Sequence, residues 1–197
     1  MATTYAWKII SEDVFPEYEG YLKYIYRLTW EYTGTNGIYT ATVSGSTDFV
    51  TPIEPYIPFD QVTSDDMVAW LNEYAGVSVL QDEINIEILH QQYNVIYKWN
   101  IMSMTLYPNY DGFNDYVTAI TWKYDANIED VEGVYLFGNT NYSSVPTDFT
   151  PYNELTELQV AGWLESSPMT PTYKKNLDKQ LIEKLSPPVI SLALPWN

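Results

Sequence analysis

Cysteine is absent from the 197 residues, which excludes disulfides, thiolate-held zinc and thiol nucleophiles together. Histidine occurs once, as His90, too little for an imidazole metal centre. Lys and Arg number 9 against 26 Asp and Glu, a formal net charge of −17, so no basic stripe is available to track nucleic acid. No run approaches the roughly 20 apolar residues that span a bilayer. The opening residues Met1–Trp7 lack a basic segment followed by an apolar core, so no secretory leader is read and folding in a cytoplasm is expected. Gly-rich phosphate loops, a Gly-x-Ser-x-Gly elbow and an Asp-x-Asp-x-Asp-Gly calcium loop are also missing. The expectation is a protein without cofactor or metal, with neither nucleic acid nor membrane as partner. What the chain has in abundance is rings: 7 Trp, 19 Tyr and 6 Phe, enough apolar area to offset the ordering entropy of a folded domain.

Those rings repeat. Shifted by 92, Tyr5, Trp7, Ile9, Ser11, Pro16, Tyr18, Gly20, Tyr24, Thr29, Trp30 and Tyr32 fall on identical residues from Tyr97 to Tyr124, 11 identities in 28 positions without a gap. After a length change, a shift of 93 carries Pro58, Thr63, Trp70 and Leu71 onto Pro151, Thr156, Trp163 and Leu164, and Ile84 and Ile88 onto Leu177 and Leu181. Two Trp-anchored blocks recurring in order mark a tandem duplication of a unit of about 93 residues.

Within each copy, residues 5–12 and 97–106 alternate large apolar and polar side chains, the period of a half-buried strand. The stretches 15–20 and 107–112, Pro early and Gly late, read as tight connections. Longer strands follow over 21–33 and 113–124. Asn36-Gly37 predicts a hairpin into 38–43; in the second copy a longer loop over 127–133 is expected ahead of 134–137. Thr63 ahead of Asp65-Asp66, and Thr156 with Gln159, read as helix N-caps. Apolar stripes then predict two helices per copy, the second over 81–92 and 173–185, ended by Pro187-Pro188. The expected fold is α+β: two tandem copies of a small antiparallel sheet module, each followed by two helices. The expected boundaries are 1–96, 97–186, and an extended apolar tail over 187–197.

Candidate chemistry is thin. His90 is replaced by Glu183 in the second copy and lacks a nearby nucleophile motif, so it reads as a helix-surface residue. Glu17/Glu19 and Asp111/Asp115 could pair as glycosidase carboxylates, but their turn positions favour a solvated reading. The 26 acids are spread along the chain, which favours a soluble surface over a DNA mimic's dense acidic rows. Rings shared by both copies read as core. Tyrosines outside the shared set, Tyr39, Tyr56, Tyr93, Tyr135 and Tyr142, read as partner contacts, because Tyr covers apolar area while keeping a polar tip. The tail residues Leu192, Leu194, Pro195 and Trp196 are expected to dock in a groove.

A Trp near the start, a strand-turn-strand, a Thr-capped helix carrying a Trp, and a closing Pro-Pro to Leu-Pro-Trp segment together resemble a family of small uncharacterised proteins of tailed bacteriophages, especially marine ones. Here the carrying residues are Trp99, Trp122, the run from Leu155 to Trp163, and Pro187 to Trp196; the first copy carries them more loosely through Trp7, Trp30 and Trp70. Members are usually single-copy, so the duplication is a departure, and the resemblance transfers no catalytic residue. It implies a non-enzymatic structural protein of a tailed-phage virion, made in the host cytoplasm: an adaptor, decoration or tail-associated subunit. Its partners would be other virion proteins or further copies of itself. The alternatives are a carbohydrate-binding module of a fibre or tail tip, and an acidic intracellular inhibitor of a host nucleic-acid enzyme.

Overall fold

A computed structural model describes residues 2–110, 112–129, 131–143 and 149–186. The chain divides into two compact units, the first ending at Gln92 and the second beginning at Tyr93. Module one holds strands β1 (Thr4–Tyr18), β2 (Tyr21–Asn36) and β3 (Tyr39–Asp48), then helices α1 (Ser64–Tyr74) and α2 (Val77–Gln92). Module two repeats the order with β4 (Ile96–Tyr110), β5 (Phe113–Ile128), β6 (Val131–Asn141), α3 (Glu157–Glu165) and α4 (Thr170–Leu185). Each sheet is an antiparallel meander, β1-β2-β3 and β4-β5-β6. The α+β tandem reading is therefore the observed fold.

The central strand carries the core because both of its edges are paired, leaving one face to be covered by helices. Tyr24, Ile25, Leu28, Trp30 and Tyr32 are buried on β2, and Tyr116, Val117, Ile120, Trp122 and Tyr124 hold the same places on β5. Leu71, Ile84 and Ile88 close module one from α1 and α2; Val160, Leu164, Leu177 and Leu181 close module two from α3 and α4. Each fully buried Leu or Ile contributes about 1.5–3 kcal/mol by leaving water.

Each central indole lies against the third strand, where it needs a glycine. Trp30 faces Gly45 and Trp122 faces Gly138. A Cβ built on Gly45 would sit 2.9 Å from the Trp30 ring, and one on Gly138 only 2.3 Å from Trp122. The ring nitrogens then reach the next inward residue: Trp30 Nε1 donates to Thr47 Oγ1 and Trp122 Nε1 to Thr140 Oγ1, both at 2.9 Å. The duplication extends even to backbone kinks, with Lys23 at φ 55° and Asp115 at φ 54°.

Four local expectations need correction. The Pro-containing stretches are strand rather than turn, because β1 and β4 are edge strands and Pro16 and Pro108 need not donate to a neighbour on the outer side. The first hairpin narrows to Glu19 and Gly20, at φ 48° and 88°, the double left-handed geometry of a type I′ turn. The second turn uses Gly37-Ile38, one residue later than the Asn-Gly reading, since Asn36 pairs with Tyr39 and Gly37 at φ 64° takes the first central position. In module two no long loop spans 127–133. Ile128 pairs with Val131, and a β-bulge beside Asn127 absorbs the extra residue that changes the repeat from 92 to 93. The second helices also begin earlier, at Val77 and Thr170.

The predicted N-caps are formed. Asp66 N donates to Thr63 Oγ1 at 3.2 Å while Thr63 N donates to Asp66 Oδ2 at 2.9 Å. Gln159 N and Thr156 Oγ1 meet at 3.3 Å, with the return bond from Thr156 N to Gln159 Oε1 at 3.0 Å. Both are capping boxes that satisfy otherwise orphaned helix amides.

Candidate functional site

Three places in the modules hold polar or exposed groups that the core does not explain away: the helix-facing aromatic cages, a recess beside the bulged central strand, and the outer face of β6.

In module one Trp7 meets Trp30 edge-on at 5.1 Å and packs on Tyr32 at 4.2 Å. The polar tips of these rings end on amides. Trp7 Nε1 donates to Asn72 Oδ1 at 2.8 Å, Tyr5 Oη to Asn85 Oδ1 at 2.9 Å, and Gln81 Nε2 to Tyr32 Oη at 3.1 Å. Module two repeats the ring geometry, with Trp99 edge-on to Trp122 at 4.9 Å and stacked on Tyr124 at 3.8 Å. Every amide, however, is exchanged for a charge. Asn72, Asn85 and Gln81 become Glu165, Asp178 and Lys174 at a shift of 93. Trp99 Nε1 now donates to Glu165 Oε2 at 2.9 Å, Tyr97 Oη donates to Asp178, and Lys174 Nζ pairs with Glu165 Oε1 at 2.5 Å.

Burial works against the Glu165 charge, but hydrogen bonds from Lys174 and Trp99 outweigh it and hold its carboxyl below the ordinary range. Burial, reinforced by the Asp178 bond, pushes the Tyr97 phenol well above its usual value; burial and then the Glu165 charge do the same to Tyr124. Asp178 is 3% exposed and Tyr124 fully buried, so a substrate has no approach to this pair. The cluster is a charged clasp between helix and sheet.

The recess differs in size between the modules. In module one it is a dent of about 20 Å³ among Tyr24, Ile25, Ile53, Tyr56, Phe59 and Trp70. Tyr26 stacks on Phe15 at 4.2 Å, and Tyr24 Oη lies 2.5 and 2.6 Å from the carbonyl oxygens of Phe49 and Thr51, its one proton shared between them. Burial pushes that phenol up to about 12. In module two a cavity of about 300 Å³ lies among Tyr116, Val117, Tyr142, Phe149 and Trp163. A groove of about 470 Å³, sharing Tyr116 and Tyr142, runs on past Tyr107, Tyr110 and Asn141. Tyr142 stands edge-on to Trp163 at 6.0 Å, and its hydroxyl is sealed from water with no hydrogen-bond partner among the described residues.

The residues singled out from sequence are scattered over these places. Tyr142 lines the recess. Tyr39 is half-buried and packs on the core of module one. Tyr135 is 52% exposed on the outer face of β6, with Lys123 Nζ 4.5 Å from its ring centre and Phe137, itself 63% exposed, edge-on at 5.2 Å. Leu192, Leu194, Pro195 and Trp196 lie outside the described residues, as does Asp111. His90 is exposed on α2, and Glu17, Glu19 and Asp115 are exposed along the ribbon of paired first strands. Among the described residues no group of three acidic or His side chains is placed to hold a metal ion. No helix of the described residues is long and apolar enough to cross a membrane.

Phe137 and the charged clasp were not anticipated. The clasp was open to discovery: laying the helices over each other at a shift of 93 exposes all three amide-to-charge exchanges.

Sheet, bulges, glycine-seated indoles and capping boxes, all occurring twice, define the class: a duplicated three-strand, two-helix α+β module. The chain belongs to the family described as a domain of unknown function, DUF7936, whose profile matches it twice, over residues 2–98 and 94–196. No curated protein and no solved structure shows significant similarity to it.

Proposed function

We propose that the chain is a non-enzymatic structural protein that works through protein–protein contacts, as an adaptor, decoration or tail-associated subunit of a tailed-phage virion. The observation that carries this reading is where the two copies differ. The central-strand rings match, Tyr24, Trp30 and Tyr32 against Tyr116, Trp122 and Tyr124, while the outer faces of the third strands have diverged. Module one presents Thr40, Thr42, Ser44 and Ser46 on the outer face of its third strand, and module two presents Tyr135 and Phe137 there. Two heads of one design with unlike faces suit a subunit that joins unlike neighbours or bridges rings of different symmetry. The phage assignment is supported by the sequence resemblance, and the protein would be made in the host cytoplasm and built into the particle.

Quantitative mass spectrometry of gradient-purified particles tests the reading. Fixed copies per particle are expected; a protein abundant in lysate and missing from particles refutes it, and would favour the acidic-inhibitor alternative. The tyrosine-lined groove of module two favours a second reading, glycan binding, since rings and hydroxyls together suit a sugar face. Glycan-array binding that is lost on Tyr107→Ala or Tyr110→Ala would establish it.

A further inference from the structure

Module one covers Phe49 with two rings of its own: Trp70 and Tyr74 of α1 stand edge-on to it at 6.0 and 5.8 Å. Tyr142 holds the same place in module two. Phe49 N donates to Tyr26 O at 2.7 Å and Tyr142 N to Thr118 O at 2.8 Å, and Trp163 repeats Trp70, edge-on to Tyr142 at 6.0 Å. The second ring has no counterpart. Helix α1 runs on through Tyr74, whereas α3 stops at Glu165, and at a shift of 93 Ser166 and Ser167 stand for Glu73 and Tyr74. Thr150 likewise stands for Ile57. The cavity of about 300 Å³ has Thr150 and Ser166 in its lining, beside the rings of Tyr142 and Trp163.

Deepening the reading of the chain as a protein–protein subunit, and resting on it, we propose that this cavity receives a tyrosine side chain of a partner polypeptide. The sister module shows which shape fits beside this ring pair, because its own Tyr74 supplies a phenol there. Charge narrows the occupant further. None of the described residues lining the cavity or the adjoining groove is acidic, basic or His, so an inserted carboxylate or ammonium would lose its hydration with no counter-charge. Ser166 then selects for a donor. Its hydroxyl donates to Trp163 O at 2.9 Å, which commits its one proton and leaves its lone pairs to accept. A phenolic hydroxyl meets that need, and a phenyl ring does not.

The groove argues for a polypeptide over a free phenol. It shares Tyr116 and Tyr142 with the cavity and continues for about 470 Å³ along Thr105, Thr118, Asn141 and Ser143. Hydroxyl and amide side chains suit the backbone N–H and C=O groups on either side of an inserted residue, which need partners once they leave water. A free phenol would leave that run unused. Tyrosine is also among the residues that most often anchor a protein contact by filling a desolvated pocket.

Titrating the isotope-labelled full chain with the peptide Ac-Gly-Tyr-Gly-NH2, followed by nuclear magnetic resonance at the Trp163 indole N–H, tests this. Saturable shifts are expected, with Ac-Gly-Ala-Gly-NH2 binding about tenfold or more weaker, as loss of an anchor side chain does. Ac-Gly-Phe-Gly-NH2, without the donor, and p-cresol, without the backbone, should each bind more weakly than the tyrosine peptide. Ser167→Tyr, which restores the sister module's ring, should abolish binding while far-ultraviolet circular dichroism stays that of the parent. Ser166→Ala, which leaves the cavity open, should erase the preference for tyrosine over phenylalanine. The proposal is overturned by absent or non-saturable shifts, by an alanine peptide or p-cresol that binds as tightly, or by a folded Ser167→Tyr that binds like the parent. Absence from particles would refute the virion reading and leave this site standing; a tyrosine peptide that fails to bind would do the reverse.

Discussion

Gly138→Ala offers the sharpest probe of how the modules are built. The new Cβ would lie 2.3 Å from Trp122 Cζ2 and 2.5 Å from Cη2, more than 1 Å inside ordinary carbon–carbon contact at about 3.5–4.0 Å. Trp122 is 2% exposed and wedged between Trp99 and Tyr173, so the ring cannot yield without displacing both. Overpacking of this kind costs about 1–3 kcal/mol. Rotating the indole away also breaks its bond to Thr140 Oγ1, for about 0.5–1.5 kcal/mol more. The total of about 2–4 kcal/mol in a module of this size corresponds to a fall in melting temperature on the order of 10–25 °C. Gly45→Ala meets Trp30 at 2.9 Å, a milder clash, and should cost about half as much. Urea unfolding followed by Trp fluorescence and near-ultraviolet circular dichroism measures both. Gly138→Ala within ~0.5 kcal/mol of the parent, or Gly45→Ala the more damaging of the two, would refute the reasoning.

Other consequences follow from the same geometry. Because the Glu165 carboxyl is held below its ordinary range, its contribution is present above the unfolded value of ~4.3 and is lost as pH falls; the triple exchange Glu165→Asn, Lys174→Gln, Asp178→Asn should flatten module two's loss of stability below that pH, as read by pH-resolved hydrogen exchange. Tyr97 and Tyr124 are pushed the other way, so their contribution is present below ~10 and lost at higher pH, and module two should be the first to yield in alkali. Thr63→Ala and Thr156→Ala should each cost about 1 kcal/mol by removing a capping box, measurable as parallel shifts of the urea midpoint.

Much of the fold is legible in the sequence because burial of indoles and phenols imposes a period that survives duplication. Trp30 and Trp122, Thr63 and Thr156, and the stripes through Ile84 and Leu177 all announce their places. Pro16 and Pro108 mislead, since proline breaks a central strand yet fits an edge, and only pairing order tells the two apart. The bulge at Asn127 misleads for a related reason: an inserted residue looks the same in sequence whether a loop or a strand absorbs it. Apolar periodicity is blind to the clasp, because Asn85 and Asp178 are equally polar and differ only in charge. The groove is no easier to read: Thr118 lines it where Tyr26 stacks on Phe15 in module one, an exchange visible only when the copies are laid over each other at a shift of 92.

An electron cryomicroscopy reconstruction of the assembled particle tests the two-headed claim most directly. Density should place both modules in contact with neighbouring subunits, with the threonine face of β3 and the Tyr135–Phe137 face of β6 in different surroundings. A chain missing from the particle, or one engaged through a single module while the other touches nothing, would contradict the account.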